Sequence, residues 1–243
     1  DTELVDRIYY ADFDTLVEAK KIIPDLIPVL PEILKDAEYP EIDEVLEQLD
    51  DVEVLLVRTI GQMARYKSQY EIETDVTFNI TNSHSHRYLE SQGIKCVTLS
   101  EELSAIQIGE MLQWNNSEVA MTIYGYQRSM ITEYCVFRTI DQCNLCSLPG
   151  SYIEYEKEFR FPLMRAYGCR MKVMNSHRLH LIDKMEMLTE MPINQYRLRM
   201  TLESPKEVSS IIKSYRKALS GEVVDIEFEA ETTTGHFIRG VKE

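Results

Sequence analysis

Residues Val52–Ser68 read VEVLLVRTIGQMARYKS, a strand followed at once by a helix. The first seven, Val52–Arg58, are apolar nearly throughout, as expected of a strand buried on both faces of a parallel sheet. Gly61–Ser68 then supplies an amphipathic segment, so the stretch reads as one βα unit. Working outward, the rhythm recurs. Further strands are expected near Arg7–Tyr10, Leu26–Leu30, Val76–Thr81, Lys95–Leu99, Val119–Tyr124, Met171–Met174 and Tyr196–Met200. Helices are expected near Thr15–Ile23, Ile42–Leu49, Ser85–Gln92, Ser104–Trp114, Leu179–Glu190 and Lys206–Leu219. Near-regular alternation predicts an α/β fold, a single TIM-type (β/α)8 barrel over residues 1–243, because βαβ crossovers share one hand and curl the sheet one way. The competing fold is an open doubly wound sheet, and the lack of a Gly-rich phosphate turn after the first strand weighs against it.

The alternation breaks once. Tyr126–Cys169 holds no helix of suitable length, so residues 126–170 read as a Cys-rich insertion after strand six. It carries the turn Leu148-Pro149-Gly150 and an alternating stretch, SYIEYEKEFRFPL, that predicts a β-hairpin. Loops at the carboxyl ends of barrel strands are where such folds place chemistry.

Composition bounds the function from the other side. The 243 residues carry 41 acidic and 26 basic side chains, a formal net charge of -15. That field repels phosphate backbones, so no extended nucleic-acid surface is expected. No apolar run is long enough to cross a bilayer. Asp1–Arg7 lacks the charge and apolar stretch of a signal peptide, which favours a cytoplasmic, reduced setting. The missing initiator Met is what a processed product or a fragment of a longer protein would show.

Four of the five cysteines fall between Cys135 and Cys169, spaced Cys135-x7-Cys143-x2-Cys146-x22-Cys169. Four thiolates complete either an iron–sulfur cluster or a zinc site, and spacing does not choose between them. The alternative is that they are small buried hydrophobes. That suits Cys96, inside a strand, but not four residues set among Asp141, Gln142, Asn144 and Arg170. His84 and His86 form a two-apart pair able to bind metal from a loop, although a solvated helix start explains them as well. His177 and His180 are expected to open a helix, as surface or capping residues. His236 sits in a tail that is either disordered or docks its Phe on the core. No GxSxG elbow, HExxH helix or P-loop is present.

Several segments resemble one family. FNITNSHSHRYLESQGIKCVTLSEELS, MTIYGYQRSMITEYC, the FPL run, the Cys169-Arg170 pair, the Asn175-Ser176 turn, RLRMTLESPKEVSSIIKSYRKAL and TTGHFIRGV occur in the order found in the collagenase-like peptidases. The likeness covers most of the chain and is closest to the carboxyl-terminal barrel of the longer members. It implies proteolysis by the family's name. By its better understood relatives it implies a [4Fe–4S] cluster serving oxygen-independent hydroxylation of RNA bases or a quinone precursor. Carried over by position, the ligands are Cys135, Cys143, Cys146 and Cys169. The implied substrate is a nucleoside or small aromatic compound, with a protein partner or companion domain.

Around such a cluster the candidate site residues are Arg58, Asn79, Asn82, Tyr124, Asn175 and Arg199, each placed at or just beyond a strand end. Arg58 and Arg199 are either a carboxylate clamp or members of internal salt bridges. Two departures bear on any such site. Arg199-Met200-Thr201 stands where many relatives have Glu-Gly-Arg, and Glu156-Lys157 where an Asp-Arg pair is common. A non-catalytic module with a four-cysteine zinc knot is the third reading.

Overall fold

The computed structural model describes residues 2–113, 116–147, 150–224, 226 and 231–241. In chain order its elements are β1 (Tyr9–Tyr10), α1 (Leu16–Ile22), β2 (Ile27–Pro28), α2 (Tyr39–Glu47), β3 (Val54–Val57), α3 (Ile60–Tyr66), β4 (Glu71–Thr74), α4 (Ser83–Ser91), β5 (Cys96–Thr98) and α5 (Ala105–Leu112). There follow β6 (Glu118–Thr132), α6 (Val136–Thr139), β7 (Tyr152–Tyr155), β8 (Phe159–Ala166), β9 (Arg170–His180), α7 (Met185–Thr189), β10 (Gln195–Arg199), α8 (Pro205–Leu219) and β11 (Thr232–Thr233). The fold is mixed α/β. Two compact units divide the chain, one comprising Asp1–Thr122, Glu186–Arg197 and Gly235–Glu243, the other Ile123–Met185 and Leu198–Thr234.

The first unit carries the βα alternation. β1 pairs β2, and β3, β4, β5 and β6 pair in sequence, all parallel, with a Val29–Leu56 bridge between the two sets. Leu55, Val57, Val97 and Val119 are fully buried, and Leu16, Leu30, Ile42 and Ile108 complete the core. Side-chain caps set the helix starts: Thr59 accepts the Gln62 N–H, and Ser104 and Gln107 cap each other's backbone in a capping box. The C-terminal tail docks here, with the Ala105 N–H bonded to the Phe237 carbonyl and Phe237 buried.

One predicted strand moves. Val76–Phe78 is a 3-10 turn, begun by the Asp75 carboxylate accepting the Val76 N–H and ended by Asn79 in the left-handed region at φ 50°. The strand lies earlier, at Glu71–Thr74. Its sequence, EIET, hides it because carboxylates are costly to bury unless paired. Glu73 is nonetheless buried, paired by Arg7 and by Arg197, whose Nη2 lies 3.0 Å from Oε2, and bonded by the Tyr9 hydroxyl at 2.7 Å.

The second unit departs from the parallel pattern. β9 runs antiparallel to β6 through Tyr124↔His180, Gly125↔Leu179 and on to Thr132↔Met171, and β8 and β7 add antiparallel beyond it. The eight-fold parallel alternation expected of a (β/α)8 barrel therefore does not extend through this unit. Antiparallel neighbours need no helical crossover, and among its described residues the connection from β6 to β9 contains the four-residue α6, turns and the β7–β8 hairpin. The predicted helix Leu179–Glu190 shrinks to Met185–Thr189, since strand pairing carries β9 on to His180. His177 and His180 thus sit in a strand and open no helix. Leu148 and Pro149 of the predicted turn, and Trp114 at the end of a predicted helix, lie outside the described residues.

Candidate functional site

The four clustered cysteines, Cys135, Cys143, Cys146 and Cys169, are in the second unit and free. Cys135 follows the end of β6 and stands at the N-cap of α6. Cys143 and Cys146 share one 3-10 turn, Cys143–Ser147, in which the Cys146 thiol donates to the Cys143 carbonyl at 3.0 Å. Cys169 closes the turn Tyr167–Cys169 and immediately precedes β9. Because Thr132 and Met171 are register partners, Cys135 and Cys169 flank the same end of the β6–β9 pair. The Cys143–Ser147 turn packs against α6 and β8. Cys143 and Cys169 are exposed and Cys135 and Cys146 half-buried. This donor set suits a thiolate-ligated cluster or zinc. Among the described residues, no three or more His, Cys, Asp or Glu side chains are gathered into a metal-binding group. Cys96 is different: it is fully buried in β5, and burial pushes its thiol up to about 12.

The other predicted site residues are divided between the units. In the first, Arg58 follows β3 and is held by Asp75 at 2.8 Å and Glu32 at 3.4 Å, an internal salt bridge as one reading anticipated. The Asn79 side-chain oxygen accepts the Ser100 hydroxyl at 2.6 Å, and Asn82 caps α4 by accepting the Ser85 N–H. Both asparagines thus build loops at the carboxyl ends of parallel strands. In the second unit, Asn175 lies within β9 and Tyr124 within β6. Arg199 ends β10, and its backbone passes so close to Gly125 that a Cβ there would lie 2.2 Å from the Arg199 carbonyl oxygen.

Tyr124 belongs to a cluster the sequence reading missed. Its hydroxyl donates to Glu203 Oε1 at 3.0 Å, and Glu203, whose side chain is fully buried, also accepts the Thr201 and Leu202 N–H groups. Arg178 Nε lies 3.5 Å from the same carboxylate, and its guanidinium stacks over the rings of Tyr124 and Tyr126. Burial, aided by Glu203, raises the Tyr124 phenol above its ordinary pKa, so it stays a donor. Next to it, Tyr215 donates to the Ile123 carbonyl and lies 3.0 Å from His180 Nδ1. The available signal was Arg178, a cation in an otherwise strand-like run. In the first unit the Glu73–Arg7–Arg197–Tyr9 network was equally hidden.

The two histidines of NSHSH separate on the helix. His84 is exposed, while His86 is buried with Nδ1 3.5 Å from Glu90 and Nε2 3.3 Å from the Ser117 hydroxyl. Burial lowers the His86 pKa against the opposing pull of Glu90. The order Ser–His–Glu has the outline of a hydrolytic triad. However, the Ser117 and Asn116 N–H groups are both bonded to Glu90, which leaves that N–H of Ser117 unable to serve an oxyanion. The group reads as an anchor for the start of β6.

Comparison with known proteins agrees with the order of motifs. A family model described as Peptidase family U32 matches residues 25–235. Among solved structures, that of the U32 peptidase Mk0906 is 12% identical with a TM-score of 0.42, covering 82% of this chain and 86% of that one, a likeness too distant to bear on the site. No curated protein matches. With most of its length inside the family match, the chain belongs to peptidase family U32.

Proposed function

We propose that this U32 chain is an iron–sulfur protein in which Cys135, Cys143, Cys146 and Cys169 hold a [4Fe–4S] cluster serving oxygen-independent hydroxylation of a nucleoside or small aromatic substrate. The observation that carries the reading is the attachment of Cys135 and Cys169 to one end of the β6–β9 pair, with Cys143 and Cys146 on the connection between those strands. When bound, such a cluster supplies or accepts single electrons at a potential set by burial and by hydrogen bonds to sulfur. The chain's part is to present four thiols, each of which loses its proton on ligation. Cys143 and Cys169 are exposed, and Cys146 would exchange its bond to the Cys143 carbonyl for the bound group. A net charge of -15 disfavours a long polyanion, and the small substrate and the protein partner or companion domain are what the family resemblance implies. No helix among the described residues is long and apolar enough to cross a membrane.

Anaerobic purification with iron, zinc and sulfide analysis tests this. Iron and sulfide in equal amounts, with both lost in Cys135→Ser, is the expected result. Zinc without sulfide would make the four thiols a structural knot and end the redox reading. Proteolysis, the second reading, draws on the family description alone. Casein cleavage by the purified protein that survives cysteine substitution would establish it.

A further inference from the structure

Two strand ends carry Cys135 and Cys169, and one buried cation joins those ends. Arg170, next to Cys169, is 2% exposed. Its Nε donates to Glu133 Oε1 at 2.6 Å and its Nη1 to the Tyr167 carbonyl at 3.2 Å. Glu133 lies two residues before Cys135, and Tyr167 two residues before Cys169. A guanidinium is planar with its donors fixed in direction, so one side chain sets both the separation and the angle of these two segments. Between Tyr167 and Arg170 the backbone turns through Gly168 at φ 68° and Cys169 at φ 59°. Left-handed backbone at a non-glycine residue persists where its surroundings enforce it. The Arg170–Tyr167 bond spans that turn.

We infer that Arg170 is a positioning residue which, with Glu133, clasps the β6 and β9 ends so that Cys135 and Cys169 are preset as a pair of ligands. What the pair holds rests on the cluster reading above; the clasp itself does not. Cys143 and Cys146, on a separate turn, then complete the set. An ion pair serving only fold stability predicts that its loss lowers the unfolding midpoint and leaves thiol pairing and metal affinity in the folded chain unchanged.

The test uses the full chain, with Glu133→Ala as the main variant. The Glu133 side chain is 52% exposed, so its removal spares the core. Metal-free protein is treated with dibromobimane, which bridges neighbouring thiols, and bridged peptides are identified by mass spectrometry. Iron affinity and thiolate-to-iron absorption are measured in parallel on anaerobically reconstituted protein. The parent is expected to yield a Cys135–Cys169 bridge. Glu133→Ala is expected to bridge more slowly and to lose about 10–100-fold in iron affinity, the range for a group that orients a metal ligand. Arg170→Lys keeps the ion pair but not the planar bond to Tyr167, and should fall between. Bridging as fast in Glu133→Ala as in the parent, or no such bridge in the parent, overturns the clasp. Glu133-dependent bridging in a parent that takes up no iron would keep the clasp and remove the cluster.

Discussion

Arg197→Met is the substitution that most directly tests how the first unit buries charge. Glu73 is 1% exposed and Arg197 11%, and Nη2 sits 3.0 Å from Oε2. At an effective dielectric constant of ~20, unit charges at that separation attract by roughly 5 kcal/mol, part of which is offset by the desolvation of both groups. Removing one partner of a buried pair costs about 3–5 kcal/mol, because the remaining charge stays buried. Arg7 still faces Glu73 in the variant, but its side chain is 39% exposed and solvent screens it. We therefore expect the low end, about 3 kcal/mol. Urea unfolding followed by far-ultraviolet circular dichroism measures it, in dilute buffer and again in 1 M salt. The loss should persist in salt, since buried pairs are little screened. The double variant Glu73→Leu, Arg197→Met should recover most of it, as replacing a whole buried pair by apolar side chains is often neutral. A loss below about 1 kcal/mol, typical of exposed pairs, would refute the argument that Glu73 is held as a buried ion.

Three further outcomes follow from particular contacts. Gly125→Ala places a Cβ 2.2 Å from the Arg199 carbonyl oxygen at φ 119°, and should destabilise the protein by about 1–3 kcal/mol or more in a thermal melt, the range for overpacking. With burial holding Cys96 up to about 12, an aromatic disulfide reagent at pH 8 should titrate four thiols in folded metal-free protein and the fifth only in denaturant. His86 is depressed below its ordinary 6.5, so its contribution to stability is present above that value and is lost as pH falls through the folded pKa. His86→Asn should lack that acid-side fall, and an unchanged stability–pH curve in the variant would show that the loss arises elsewhere.

The sequence by itself determined the local elements and the inventory of chemistry. Val54–Val57 and Cys96–Thr98 read as strands because their apolar runs reflect burial on both faces, and the helix expected at Lys206–Leu219 is α8. The family was legible for the same reason, since motif order is a property of the chain. So were four clustered thiols in loop-like surroundings.

Tertiary structure alone decided what depends on partners distant in sequence. Glu71–Thr74 is a strand because Arg7, Tyr9 and Arg197 neutralise Glu73, and nothing within EIET announces them. β9 reaches His180 because β6 pairs with it antiparallel, overriding a helical reading of Leu179–Glu190. Arg58 is occupied by Asp75 and Glu32, and Tyr124 by Glu203. Residue type says that a side chain can bind or donate; only the fold says to what, because the cost of burying a charge is met by groups the chain brings from elsewhere.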